Sequence, residues 1–455
     1  MWTILNNQNE DIYFSKYPEL DEHRESFILY KSEKSIMLPR FFYKNYPSEK
    51  LKFIELDYNP EHIDFKCNII PRKMQEEVVN IVQDIYNKNG YVSGIIKARP
   101  GSGKTILSIY IASILSLKTL IIVDSQSLQK QWIKEILSVT DLMPEDIGII
   151  RQKYFPEGHE KVVVATVQTL LSQFKKDPKD IYTRLKNLGF GVVFLDECHK
   201  SSSSEQYTKI STILPMNNII GLSATPWPRN EQDILMKNVI GPILYDSKDY
   251  DYVPEVNFIY YKSHLDRYRF MLGKVKDFIQ RKALYNKIVC RSNYFLKLFP
   301  KFIKEDLENK HKIIVICQTE NQIKRISNEL NENNIPHRKY YGKERIYDKD
   351  DNVLLVTYSF AGTGFDFKEL SSLIYACPLS GKISLIQTAG RILRTCDNKQ
   401  QPKIRYLIDM TFPSQSLTEL KYAKNVFTNE FNGVKFNEIE MYDGEKDNAN
   451  RILNN

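Results

Sequence analysis

The sequence predicts two α/β units in tandem, each built on a parallel sheet, behind a small β-rich N-terminal segment. Three observations carry this. From Asn68 onwards, short and nearly continuous apolar runs alternate with amphipathic helical stretches, the pattern of parallel strands covered on both faces. A second series of the same kind begins near Pro254. The first series also holds a glycine-rich turn between an apolar run and a helical stretch, Ala98-Arg99-Pro100-Gly101-Ser102-Gly103-Lys104-Thr105.

Taken in order, residues 1–58 alternate aromatic and charged side chains without a helical period. The stretch from Ser26 to Tyr43 (SFILYKSEKSIMLPRFFY) reads as short strands with turns, hence an accessory domain. Residues 59–253 form the first α/β domain, with expected strands at 92–96, 120–123, 162–165, 191–195 and 219–222. Ser247 to Pro254 (SKDYDYVP) reads as a hinge. Residues 254–431 form the second domain, with strands at 256–261, 312–317, 352–358, 372–376 and 406–409. Residues 432–455 are polar and Asn-rich and read as a frayed tail.

The bulk numbers fit this plan. A chain of 455 residues supports two to three cores. A net charge of +8 leans mildly towards a polyanionic partner. Six widely spaced cysteines, with no C-x-x-C pair, read as free thiols of a reducing cytoplasm rather than a zinc site. No apolar stretch is long enough to cross a bilayer, and the polar, acidic N-terminus does not read as a secretory signal. A cytoplasmic location without membrane contact is expected.

The glycine-rich turn has the chemistry of a phosphate loop. Backbone N–H groups must point at phosphate oxygens, and Gly101 and Gly103 remove the Cβ atoms that would block them. Lys104 brings a point charge to the β and γ phosphates, and Thr105 offers a hydroxyl to Mg²⁺. The first position is Ala98 where the simplest pattern has Gly. Downstream, the run from Val192 to Leu195 ends in Asp196 and Glu197. In a parallel sheet that edge is where ligands sit. Asp196 is expected to hold Mg²⁺ beside Thr105, and Glu197 to orient and deprotonate water. Ser223-Ala224-Thr225-Pro226 follows another strand; its hydroxyls suit either a bridge to the neighbouring domain or simple turn caps. Gly364 and Asp366, in a turn after the strand at 352–358, suit a ribose or domain contact, or a bare turn. Arg391 and Arg394 stand three apart, expected on one helical face, either solvated or aimed at a γ-phosphate.

Together, A-x4-G-K-T, D-E-x-H, S-A-T, G-x-D and Q-x-x-G-R-x-x-R, in this order over about 300 residues, resemble the superfamily 2 helicases. The resemblance implies two RecA-like domains, ATP and Mg²⁺. It makes Pro71-Arg72-Lys73-Met74-Gln75 the adenine-reading element, with Arg72 and Gln75 in the nucleotide site beside Pro100 and Ser102. It adds Gln387 to the arginines, and makes His199, Ser223 and Thr225 coupling residues. IIVDSQSLQKQW (121–132) and VATVQTL (164–170) look like strand-tracking motifs, implying contacts from Ser125, Gln126, Gln131, Thr166 and Gln168. IIVICQTE (313–320) looks like the matching motif of the second domain, with Gln318, and Thr357 is expected beside it. The spelling is similar to phage branch-migration helicases of the UvsW kind and compact helicases of T5-like phages. That likeness implies a DNA partner: forks, displacement loops and four-way junctions of phage replication, recombination or repair, with no obligatory protein partner.

Two departures stand out: Cys198 at the third place of D-E-x-H, and Trp227-Pro228-Arg229-Asn230 where many members carry an acid-Gly pair. The aromatics of residues 1–58 suit either a wedge at a strand junction or a plain core. An RNA helicase or RNA–protein remodeller, and an ATP-gated clamp, remain as alternatives to the DNA motor.

Overall fold

The computed structural model describes residues 2–17, 28, 30–54, 58–99, 102–152, 154–198, 210–211, 213–223, 237–247, 250, 252–341, 348, 350–358, 367–376, 381–394, 396 and 398–441. The chain divides into two compact units, Met1–Lys248 and Asp249–Asn455.

The first unit opens with an antiparallel sheet of β1 (Trp2–Asn6), β2 (Tyr30–Lys31), β3 (Ser35–Leu38) and β4 (Leu51–Ile54), in the order β2-β3-β1-β4. Seven parallel strands follow: β5 (Ser93–Lys97), β6 (Thr119–Val123), β7 (Ile147–Ile150), β8 (Val162–Thr166), β9 (Val192–Leu195), β10 (Asn218–Ser223) and β11 (Ile243–Asp246). Their order is β11-β5-β10-β9-β6-β8-β7. Successive side chains of a strand point to opposite faces. Accordingly, Ile95, Leu120, Ile122 and Val193 enter one buried cluster, and Ile96, Ile121, Val123 and Val192 the other. Both faces are apolar, so the strands read as unbroken apolar runs.

Among the described residues, the N-terminal sheet shares its core with the large sheet. Leu5, Tyr13, Phe14, Ile36, Leu38 and Phe42 belong to the same cluster as Val163, Phe190 and Ile219. The wedge reading is therefore corrected for Tyr13, Phe14, Phe41 and Phe42: all four are buried, where aromatic rings contribute most. A buried guanidinium fixes the join. Arg40 donates to the carbonyls of Ser211 (3.2 Å), Met216 (2.5 Å) and Leu214, and the Phe41 N–H donates to Asn238 O at 3.0 Å. Burial lowers Arg40 to about 10.

The second unit is a single parallel sheet: β12 (Glu255–Tyr261), β13 (Lys312–Cys317), β14 (Arg338–Tyr340), β15 (Val353–Thr357), β16 (Leu370–Tyr375), β17 (Lys403–Asp409) and β18 (Lys435–Met441). The order is β14-β15-β13-β16-β17-β12-β18. Again Ile314 and Ile316 enter one core while Ile313 and Val315 enter the other. β18 corrects the reading of a frayed tail for residues 435–441, while residues 442–455 lie outside the described ones. It pairs with β12 from Glu255↔Lys435 to Tyr261↔Met441. Backbone hydrogen bonds hold it, while most of its side chains stay exposed, so no apolar run betrays it.

Against β16 and β17, in the interior of this sheet, lies a buried ionic knot. Asp306, fully buried, accepts from Arg405 Nη2 at 2.7 Å and from Ser372 Oγ at 2.6 Å, with Lys403 Nζ at 2.8 Å. Burial alone would raise the Asp306 carboxyl; its hydrogen bonds and the cations hold it below the ordinary value.

Candidate active site

Three neighbouring strands of the first unit, β5, β10 and β9, bring the motif residues to one edge. β5 runs into the phosphate loop, and the Ala98 N–H donates to Ser223 O at the tip of β10 (3.0 Å). Gly103 sits at φ 81°, a left-handed turn that starts the helix Lys104–Leu115. A Cβ there would stand 2.8 Å from the tip of the Gln75 side chain and push its amide aside, but the left-handed backbone is what calls for glycine.

Lys104 Nζ donates to Ala98 O (3.0 Å) and Arg99 O (3.3 Å). Ser102 Oγ donates to the same Arg99 carbonyl at 2.8 Å. The loop is thus closed on its own carbonyls, neutral acceptors that a phosphate anion outbids for an ammonium. Thr105 is half-buried in the first turn of the helix. A lysine held at a helix N-terminus, with a hydroxyl beside it, fits a triphosphate.

Asp196 follows β9. Its Oδ2 accepts from Trp132 Nε1 at 2.9 Å and its Oδ1 from the Glu197 N–H at 3.0 Å. Burial, then the neighbouring Glu197, raises the carboxyl to about 6, against the pull of Trp132 and Lys104. An oxygen donor short of cationic company, within the electrostatic reach of Lys104, fits Mg²⁺. Glu197 has φ 49°, a left-handed backbone unusual for a side-chain-bearing residue. Cys198 is buried, its N–H donating to Leu222 O at 2.9 Å. Its Sγ lies 2.8 Å from where a Cβ on Gly221 would be. The Cys departure is therefore a packing choice against β10.

Gln75 is buried at the start of the helix Lys73–Asn89. Its Oε1 accepts from the Arg72 N–H (2.9 Å) and its Nε2 donates to Gly103 O (3.4 Å). The amide ties that helix to the phosphate loop, leaving one N–H and one lone pair for a base. Pro100, Gly101, His199, Thr225, Gly364 and Asp366 lie outside the described residues.

Ser125 and Thr166 follow neighbouring strands: Thr166 pairs with Val123, two residues before Ser125. Each is a helix N-cap, accepting from the N–H of Leu128 (3.3 Å) and Thr169 (3.4 Å). Gln126 and Gln168 beside them are exposed; Gln131 donates to Glu135 Oε1 at 2.8 Å. Sequence reasoning passed over Gln129, whose buried amide donates to Val164 O at 2.8 Å and locks the two motifs together. Its spacing from Trp132, three residues on, marked it as facing inwards.

In the second unit, Gln318 follows β13 and its N–H donates to Gln322 Oε1 at 2.8 Å. Thr357 is buried at the end of β15. The helix Lys382–Ile392 presents Gln387 and Arg391, four apart, on one face. Here an expectation is corrected. The helix ends at Ile392, so Arg394 lies in the turn beyond it rather than on the helical face of Arg391. Lys399 Nζ holds that turn through Arg394 O at 2.6 Å.

Residues 68–227 match the family model "Type III restriction enzyme, res subunit", and residues 294–396 match "Helicase conserved C-terminal domain". The chain belongs to the superfamily 2 helicases. Its two parallel sheets are the tandem RecA-like domains of that group. The helicase is 28% identical over 347 residues to a protein of Acanthamoeba polyphaga mimivirus named as a candidate ATP-dependent RNA helicase. That match covers 72% of this chain and 63% of the mimivirus protein, so the chain spans less than two thirds of that relative. It is 22% identical to the transcript termination protein A18 of Yaba-like disease virus, covering 88% and 85% of the two chains. The XPB helicase/translocase subunit of Encephalitozoon cuniculi is 27% identical over 213 residues, 44% of this chain and 32% of that one.

Among solved structures, S. cerevisiae Dbp5 bound to RNA and ADP BeF3 superposes with a TM-score of 0.55 at 12% identity, covering 81% of this chain and 90% of that one. The restriction-modification enzyme LlaBIII bound to DNA gives 0.57 at 14%, covering 83% and 32%. These structures share the fold.

Proposed function

We propose that this helicase is an ATP-driven motor that unwinds or branch-migrates forked and junction DNA in phage replication, recombination or repair, working in the host cytoplasm. The observation that carries the motor reading is the single edge of the first sheet, where Lys104 and the Asp196–Glu197 pair lie within electrostatic reach. Arg72, Gln75 and the phosphate loop would hold ATP, and Thr105 with Asp196 would hold Mg²⁺. The ion, when bound, offsets the charge of the β and γ phosphates. Lys104 leaves the loop carbonyls for the phosphates. Glu197 orients the attacking water and takes its proton. Gln387, Arg391 and Arg394 would take a catalytic role, in which an arginine is worth roughly 10³–10⁵ in turnover. Ser125, Gln126, Gln131, Thr166, Gln168, Gln318 and Thr357 track the backbone, with His199, Ser223 and Thr225 coupling the two events.

DNA as substrate is supported by the likeness of the motif spelling to branch-migration helicases and by the XPB relative, named for transcription and DNA repair. RNA is the second reading, favoured by viral relatives whose names make them candidate RNA helicases. A strand-separation panel of forked DNA, four-way junctions, single-stranded DNA and structured RNA, with ATP turnover read alongside, tests both. Stimulation by forks and junctions, lost in Lys104→Ala, is the expected result. Stimulation by RNA alone transfers the protein to the second reading. Intact remodelling by Glu197→Gln would make it a clamp rather than a motor.

A further inference from the structure

One stretch of this chain is strongly basic. Residues 262–291 hold nine lysines and arginines against two aspartates, a net +7 of the chain's +8. The segment leaves the C-terminal end of β12. All strands of this sheet are parallel, so it starts from the same edge as Gln318, Thr357 and Tyr358. Arg267, Lys274, Lys276, Lys287 and Arg291 are exposed.

An aromatic ring stands among these cations. Phe270, on the short helix Arg269–Lys274, is 74% exposed, and Met271 beside it is 41% exposed. Lys274 Nζ sits 4.2 Å from the centre of the Phe270 ring. The backbone beneath is anchored: Leu265 and Leu272 are buried, and Arg269 Nε donates to Thr411 O at 2.7 Å. Close by, Arg267 Cζ stands 5.0 Å from the centre of the Tyr268 ring. The Phe270 ring is thus held out in water by a fixed base rather than left over by poor packing.

We propose that this face binds a single-stranded nucleic acid, its phosphates on the basic side chains and one base on Phe270. No other polymer offers regularly spaced anions together with flat π faces. An anionic membrane surface is the poorer fit, since that role calls for a long amphipathic helix and this one has six residues. The inference rests on the motor reading for the nature of the polymer, and extends it to residues outside the helicase motifs.

The test is fluorescence anisotropy of labelled oligo-dT over a salt series, on the full chain. Lys274→Glu/Lys276→Glu/Lys287→Glu is expected to weaken binding and reduce the log–log salt slope by about 2, at roughly 0.7 per phosphate contact. Phe270→Ala is expected to weaken it roughly 5- to 100-fold without changing the slope. The lysine-to-arginine triple should bind as wild type, and ATP turnover without nucleic acid should be unchanged in all. Variants that melt like wild type and keep its affinity and slope overturn the proposal. So does retained oligonucleotide binding with loss of binding to phosphatidylserine vesicles, which assigns the face to lipid. A wild-type chain that binds no strand and hydrolyses no ATP sinks the motor reading as well, which separates the two failures.

Discussion

Asp196 shows how one carboxylate serves two opposed ends. With its carboxyl raised to about 6 by burial and by Glu197, it is protonated in mild acid and a poor partner for a divalent cation. Nucleic-acid-stimulated turnover should therefore rise with pH through a midpoint near 6; a flat profile between about pH 5 and 7 would contradict this role. Stability runs the other way. An acid whose folded pKa is raised favours folding while protonated, so this contribution is whole below about pH 4 and is lost as pH rises through about 6. In the proposed role, the free protein gives up stability for a charge needed only when the ion is bound. Gly221 makes a second residue-scale case. Its missing Cβ is the room that Cys198 occupies. Gly221→Ala should destabilise the first unit by about 1–3 kcal/mol and tilt the adjoining Asp196–Glu197 tip. Adding Cys198→Ala should restore most of both in thermal melts and turnover, whereas strictly additive losses would show that the two do not touch.

At the scale of elements, strands buried on both faces were plain in the sequence and the sheet margins were not. The four strands that no apolar run marked are β7, β11, β14 and β18, and these are the outer strands of the two large sheets. An outer strand covers less and hides less, so Arg338-Lys339-Tyr340 and Lys435–Met441 carry a polar spelling on a β backbone. The residues proposed to hold the nucleotide could be picked out because backbone chemistry constrains residue types at fixed spacing. Nothing in the spelling shows that Lys104 folds onto its own loop, since that depends on carbonyl directions. The N-terminal sheet was read as an appendage; the packing of Phe14, Leu38 and Phe42 into the main core makes it part of the first unit. Removing residues 1–58 should therefore yield aggregated or molten first-unit protein rather than a stable motor impaired only at forks. A truncated chain that melts cooperatively near the full-length temperature would show the sheet to be dispensable.

At the scale of the molecule, each unit owns two complete apolar layers and its own buried cation, Arg40 in one and Arg405 in the other. Calorimetry should resolve two transitions. Arg405→Ala leaves the buried Asp306 charge with Lys403 and Ser372 alone and should lower only the second-unit transition, by up to about 3–5 kcal/mol. Arg40→Ala should lower only the other, by roughly 2–4 kcal/mol, through three carbonyls left without their donor. One shared transition displaced by both substitutions would mean that the units unfold as a block.

The strand order of the second unit also dictates when it can be finished during synthesis. β12 lies between β17 and β18, so the strand that leaves the ribosome first in this unit waits for the two that leave last. For the roughly 140 residues between Tyr261 and Lys403 it has no hydrogen-bonded neighbour. The nascent chain must carry an unpaired apolar ribbon until β17 emerges. That interval is where chaperone capture or misassembly should concentrate, and where slowing translation would be felt most.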